Sequence, residues 1–150
     1  MEQQMNNFVG LSAVLTGFAA DTIAPNIDPI NIKAEYFTKF TAEISNYAAI
    51  LSAYELLKSQ GKTDQEIGEA ILAIADYEMP CRQLIFLWYS GAWATANGSM
   101  TSSEMLSAKS YTQGLAWQVM QSHPMGDSNY RYGYWANEPA DLSGYTGNNN

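Results

Sequence analysis

The stretch Leu84-Ile-Phe-Leu-Trp-Tyr-Ser-Gly-Ala-Trp93 is the most apolar window of this 150-residue chain. At about ten residues it is half the length that a helix needs to cross a bilayer, so it predicts a buried core helix. Pro80 predicts where this helix begins, because proline suits the first turn of a helix. The window is apolar on nearly every side, so we expect the helix to lie at the centre of the fold.

Helical periodicity continues on the N-terminal side of this window. Apolar residues recur at the three- and four-residue spacing of one helix face. Gly17 follows the first run and can supply its C-cap. The segment from Ala19 to Pro29 predicts a loop, and two further helices are predicted over about 30–40 and 42–57. The apolar positions are Phe8, Leu11, Val14, Leu15 and Phe18 in the first helix, and Tyr36, Phe37, Phe40, Ile44, Tyr47, Leu51 and Tyr54 in the next two.

A capping box marks the start of another helix. In Thr63-Asp-Gln-Glu66 the threonine oxygen can accept from the backbone of Glu66, whose side chain reaches back. This helix is predicted to contain the apolar residues Ile67, Ile71, Leu72 and Ile74. A Gly/Ser loop over 97–103 and a last helix over about 104–120 follow, and no alternating run predicts a strand. We therefore expect a single compact all-α domain of five to six helices over residues 1–121.

Residues 122–150 form a second compositional region, rich in Gly, Asn, Tyr and Pro. This composition predicts an irregular arm, although its aromatic residues are too many for a plain disordered tail. The arm either packs on its own domain or docks on a partner, where Tyr and Trp are enriched. The candidate partner-binding residues are His123, Arg131, Tyr132, Tyr134, Trp135, Glu138 and Pro139.

The charge balance excludes several kinds of partner. A formal net charge of −8 and a pI near 4.4 argue against nucleic acid, whose phosphates need clustered Lys and Arg. They also argue against docking on an anionic leaflet. Charged residues make up 15 % of the chain, against about 25 % in an average soluble domain. Either much of the surface is neutral and polar, or a partner covers part of it.

The sequence contains no recognisable motif for a cofactor or a metal. Neither G-x-G-x-x-G nor G-x-x-x-x-G-K-[ST] occurs, so the glycine cradles for dinucleotides and nucleotides are missing. Cys81 is the single cysteine and His123 the single histidine, which excludes an internal disulfide, a C-x-x-C-H haem site and a multi-histidine metal site. We expect Cys81 to be a small buried hydrophobe, and no cofactor, metal or catalytic residue on this chain.

Two catalytic arrangements can be written down, and each has a plainer alternative. Ser122, His123 and Asp127 contain the residue types of a triad, but their order and crowding match no nucleophile elbow. A polar loop residue or an interface contact suits His123 better than a general base. Asp76 and Glu78 are two residues apart, and such neighbours on a helix do not face each other. They therefore predict a solvated helix end rather than an acid/base pair.

Four segments, taken in order, point to a family. Phe8-Val-Gly-Leu-Ser-Ala-Val-Leu-Thr-Gly17 has the pattern F-x-x-L-S-x-x-L-T-G, and Leu87-Trp-Tyr-Ser-Gly91 is similar to A-W-Y-x-G. A tyrosine-led segment runs from Tyr111 to Trp117, and Gly133-Tyr-Trp-Ala-Asn-Glu-Pro139 has the pattern G-x-W-x-x-x-P. Together they resemble the small subunit of the membrane-bound flavin-dependent sugar and polyol dehydrogenases, the fructose and sorbitol dehydrogenase group. The resemblance spans nearly the whole chain.

The resemblance implies a non-catalytic small subunit that supports the maturation and export of a large flavoprotein. FAD is then expected in that large partner, which oxidises the sugar or alcohol, and haem c in a third, multihaem cytochrome subunit where one is present. The implied location is periplasmic, with the complex holding the chain at the membrane. The family's twin-arginine signal is not found, and 1–8 lacks the charge and apolar pattern of a signal peptide. Removal of the signal is the simplest explanation of this departure, and the alternative is a cytoplasmic relative that has only the chaperone role.

Two further functions stay open at this level. One is a self-associating helical structural protein whose aromatic arm docks on a neighbouring copy. The other is a free-standing helical enzyme that uses His123 or the pair of Asp76 and Glu78. In both cases the chain would act without a flavoprotein, which separates them from the accessory-subunit hypothesis. Nothing in the sequence identifies a substrate.

Overall fold

The structure is a computed structural model that describes residues 2–124. The described chain is mostly helical, as predicted, but it also contains a small antiparallel sheet, so the all-α prediction is right only in outline. In order, the elements are α1 (Glu2–Thr16), α2 (Ala20–Ile23), α3 (Ile32–Glu43), α4 (Tyr47–Ser59), α5 (Asp64–Leu72), α6 (Ala75–Ser90), β1 (Ala92–Ala96), β2 (Met100–Met105), α7 (Ala108–Thr112) and α8 (Leu115–Val119).

Helix α6 lies at the centre, as the apolar window predicts. It packs against α1, α5, α8 and β1. Leu84, Leu87 and Trp88 are buried, and Cys81 is a fully buried thiol, as expected. The ring of Trp88 meets Tyr36 of α3 edge-on, with 4.8 Å between centroids, an arrangement that aromatic pairs favour. This aromatic contact fixes α3 against the central helix.

The predicted start of α6 at Pro80 is wrong, because the helix begins at Ala75. A proline inside a helix leaves the carbonyl four residues earlier without its usual donor. Here that carbonyl belongs to Asp76, and the side-chain amide of Asn46 donates to it at 3.1 Å. A hydrogen bond from α4's N-cap therefore replaces the bond that Pro80 cannot make.

The helices before α6 agree with the periodicity, with shifted ends. Gly17 follows α1 with φ +76°, and its N–H donates to the carbonyl of Ala13 at 2.9 Å, so the C-cap prediction is confirmed. The capping box of Thr63 and Glu66 is also present. The predicted 19–29 loop contains the short helix α2, and Ile74 lies beyond the end of α5. No described helix has the length and apolar character required to span a membrane.

The predicted loop over 97–103 is right only for 97–99, and the prediction of a single helix over 104–120 is wrong. The chain instead forms a hairpin, in which β1 pairs antiparallel with β2 through Trp93 opposite Glu104 and Ala94 opposite Ser103. The strand β1 reads Ala-Trp-Ala-Thr-Ala, and its small alanines give no polar–apolar alternation from which a strand could be recognised. The region after the hairpin holds two short helices, α7 and α8, rather than one long one.

Candidate partner-binding surface

Most of the candidate residues from the sequence lie outside the described part of the chain. These are Arg131, Tyr132, Tyr134, Trp135, Glu138 and Pro139, together with the predicted arm from 125 onward. His123 is described and half-buried, with its Nδ1 atom 2.9 Å from the carbonyl oxygen of Pro124. This places His123 beside the last described backbone.

The two carboxylates of the candidate acidic pair, Asp76 and Glu78, have different surroundings. Arg82 contacts the carboxylate of Glu78 at 2.9 Å one turn further along α6, so Glu78 has a cation as its partner. Asp76 is exposed in the first turn of the same helix. Within residues 2–124, no three or more His, Cys, Asp or Glu side chains are placed to hold a metal ion.

The hairpin has one closed edge and one open edge. On β1, the buried side chain of Gln83 donates to the carbonyl of Ala94 at 2.6 Å. The backbone N–H of Ala92 donates to the hydroxyl oxygen of Ser90 at 3.1 Å. Two side chains of α6 therefore bind two of the backbone groups that β1 directs away from its partner strand, the N–H of Ala92 and the carbonyl of Ala94.

The outer edge of β2 has no such cover in the part of the chain that the structure describes. The N–H of Leu106 donates to the carbonyl of Gly91. Hydrogen-bonded pairs alternate along an antiparallel ladder, so the backbone of Glu104 also bonds to β1, while the N–H and C=O groups of Ser103 and Met105 point away from β1. Their backbone groups form no hydrogen bond with any element of 2–124. All six residues of β2 are exposed. Exposed edge strands are sites where another chain can pair, and they usually carry Pro, Lys or a bulge as protection.

A cleft of about 290 Å³ adjoins β2. On its floor Lys39 forms a 2.6 Å ion pair with Glu43, and its Nζ atom lies 5.9 Å from the centre of the Trp93 ring. Glu104, on the same side, forms no ion pair within residues 2–124 and leaves the cleft with excess negative charge. The lining residues are Lys39, Glu43, Trp93, Thr95, Glu104, Met105 and Leu106.

Every Lys and Arg side chain of residues 2–124 forms an ion pair with a carboxylate of the same chain. The carboxylates that remain unpaired therefore make the net surface charge negative. The ion pairs are Lys33–Asp28, Lys39–Glu43, Lys58–Asp64, Lys62–Glu66, Arg82–Glu78 and Lys109–Glu35. With a net charge of −8 for the whole chain, a protein surface rich in Lys and Arg is its natural electrostatic complement.

Three of the four segments that carry the family resemblance meet inside the fold. The hydroxyl of Tyr89 donates to the carbonyl of Thr16 at 2.9 Å, joining the second segment to the first. A Cβ on Gly91 would lie 2.2 Å from the carbonyl oxygen of Ser110, beside the third segment, so only glycine fits there. The indole of Trp117 donates to the carbonyl of Tyr111 at 2.8 Å within that segment. These residues therefore make contacts inside the domain that hold its elements together.

The open edge of β2 is the feature that sequence reasoning missed. The sequence predicts a loop and the start of a helix over Met100-Thr-Ser-Ser-Glu-Met105, and nothing in the composition of this stretch indicates an exposed strand. A weak signal exists in Asn97-Gly98, a pair typical of tight hairpin turns. Comparisons of the chain with protein-family models, curated proteins and solved structures gave no match.

Proposed function

We propose that this chain is a non-catalytic accessory subunit that binds, stabilises and helps to mature a larger FAD-dependent sugar or polyol dehydrogenase. The strongest structural support is the outer edge of β2, which no element of residues 2–124 covers and whose six residues are all exposed, while side chains of α6 bind the other edge of the hairpin. A small domain that leaves a strand edge uncovered is suited to an assembly in which a partner covers it.

The identity of the partner is inferred from the sequence resemblance alone. A large flavoprotein would supply FAD and the oxidation chemistry, and a multihaem cytochrome c, where present, would accept the electrons. The complex would work in the periplasm, held at the membrane by its other subunits. The acidic surface of this chain supports a partner whose contact surface is basic.

A self-associating structural protein is the second candidate, because an open strand edge can also pair with a copy of itself. The net charge of −8 opposes this arrangement, since two acidic chains repel each other at low ionic strength. Light scattering on the purified chain distinguishes the two: a monomer supports the heteromeric assembly, and a dimer or larger species supports self-association.

The accessory role can be tested by expressing a large flavoprotein of the fructose and sorbitol dehydrogenase group with and without this chain. We expect most of the soluble, flavin-loaded enzyme to be lost when this chain is omitted, as measured by flavin absorbance and by turnover with an electron acceptor. The chain alone is the control and should show no turnover. Equal yields of active enzyme in both arms would exclude the role, and turnover by the isolated chain would support a free-standing enzyme.

A further inference from the structure

We propose that the outer edge of β2 binds an extended segment of the flavoprotein partner as a third strand, with a Lys or Arg of that segment facing Glu104. This inference rests on the proposed accessory role and assigns the surface through which it acts. An added strand gains affinity from backbone hydrogen bonds and specificity from alternate side chains.

The backbone of β2 is oriented for this addition. Ser103 and Met105 direct their N–H and C=O groups away from β1, and neither finds a partner within residues 2–124. The strand has no proline and no lysine, two residue types that normally protect an edge. Its register shift, opposite Thr95 and Ala96, lies near the turn and before Ser103. By contrast, Gln83 and Ser90 close the edge of β1. The sheet can therefore grow in one direction.

The side chains of the cleft select for a cation. Glu104 lies opposite Trp93 on β1 and shares its face of the sheet. A residue placed opposite Glu104 on a new strand would lie on that same face, where oppositely charged cross-strand pairs are favourable. Lys39 is already paired with Glu43 at 2.6 Å, so the cleft retains one uncompensated negative charge. An incoming Lys or Arg would neutralise it.

A second copy of the chain fits this edge less well than a basic segment. Antiparallel pairing of two β2 strands with Ser103 opposite its own copy would place Glu104 opposite Ser102 of the other strand. The stretch Met100-Thr-Ser-Ser-Glu-Met105 has no cation to offer in any register. The charge of the cleft would then stay uncompensated, and two chains of net charge −8 would meet.

Two substitutions test the edge directly in the co-expressed complex. Ser103→Pro removes an outward N–H that β1 does not use, and we expect it to weaken the complex by about tenfold or more through one lost hydrogen bond and a clash with the added strand. Ser103→Ala keeps that N–H and is the matched control. Glu104→Lys should weaken the complex less at high salt than at low salt, whereas Glu69→Lys on α5 should leave it unchanged.

Amide hydrogen exchange provides a readout that does not depend on the variants folding normally. In the wild-type complex the amides of Ser103 and Met105 should exchange markedly more slowly than in the free chain. A complex that forms without this protection, and that tolerates Ser103→Pro and Glu104→Lys, would overturn the edge while leaving the accessory role intact. If no complex forms, the accessory role itself fails.

Two other occupants would also overturn the proposal. If the free chain already protects these amides and deletion of 125–150 exposes them, its own C-terminal segment occupies the edge. If the protection grows with the concentration of the free chain, a second copy does. Protection that appears only with the flavoprotein supports the proposal.

Discussion

The hydroxyl of Tyr89 donates a hydrogen bond to the carbonyl oxygen of Thr16 at 2.9 Å, which joins the last turn of α6 to the last residue of α1. The terminal carbonyls of a helix have no partner within it and need one from elsewhere. The ring of Tyr89 also meets Phe18 edge-on, with 6.0 Å between centroids. Two helix ends that are far apart in the sequence are thereby held by one side chain.

Tyr89→Phe should lower the free energy of unfolding by about 1 kcal/mol, because it removes this hydrogen bond while keeping the ring. Tyr77→Phe is the control, since no hydrogen bond from the Tyr77 hydroxyl is found within residues 2–124. Urea denaturation followed by circular dichroism measures both. Equal stability of the two variants would show that the bond contributes nothing.

Gly91→Ala should destabilise the fold more than the same change at Gly61. Both residues have positive φ, +73° and +74°, so each pays the cost of a left-handed conformation, about 1 kcal/mol. At Gly91 the new Cβ would also lie 2.2 Å from the backbone oxygen of Ser110, whereas nothing lies within 4 Å at Gly61. We expect a loss above about 2 kcal/mol at Gly91, measured by urea denaturation. Equal losses at both sites would contradict the close packing of α6 on α7.

The central helix and the capping box could be predicted because their signals are local. An apolar run of ten residues and a Thr-x-x-Glu pattern decide the structure almost without reference to the rest of the chain. The start of α6 could not be predicted in this way. Pro80 is tolerated within the helix because Asn46, distant in the sequence, donates to the carbonyl of Asp76. Such a tertiary hydrogen bond leaves no local trace.

The hairpin and its open edge were beyond sequence reasoning for the same reason. The alanines of β1 pack closely against α6, and this packing rather than alternation makes the segment a strand. Whether an edge is open depends on what covers it. The side chain of Gln83 covers β1, and no described residue covers β2. The candidate site is therefore a property of the assembled fold.

Gly10→Ala and Gly68→Ala should have opposite effects on stability. Both glycines lie inside helices, where alanine is favoured by about 1 kcal/mol. A Cβ at Gly10 would lie 2.1 Å from the hydroxyl oxygen and 2.6 Å from the Cζ atom of buried Tyr54 on α4. At Gly68 the nearest atom belongs to Val14, at an ordinary 3.5 Å.

We therefore expect Gly68→Ala to stabilise the chain by roughly 0.5–1 kcal/mol and Gly10→Ala to destabilise it by about 1–2 kcal/mol, because Tyr54 must move. Thermal unfolding of the two variants beside the wild type gives the sign directly. A rise in melting temperature for Gly10→Ala would show that α1 and α4 do not approach as closely as the structure has them.

Alkaline pH should destabilise the fold through Cys81. Burial raises the pKa of this thiol from 9.0 to about 12 in the folded chain. Above the unfolded pKa, the unfolded chain releases the proton while the folded chain keeps it, so stability is lost as pH rises from 9.0 towards about 12. The loss approaches about 1.4 kcal/mol per pH unit for one group.

Replacing the thiol isolates its contribution. Cys81→Ala should be less stable than the wild type at neutral pH, because it leaves a small cavity. Between about pH 8 and pH 10, however, it should lose about 1.4 kcal/mol less than the wild type, since the titrating group is gone. Burial also raises the pKa values of Tyr36, Tyr54 and Tyr89, so both proteins share the additional loss at higher pH. Parallel pH profiles of the unfolding free energy would show that the thiol is not buried in the folded chain.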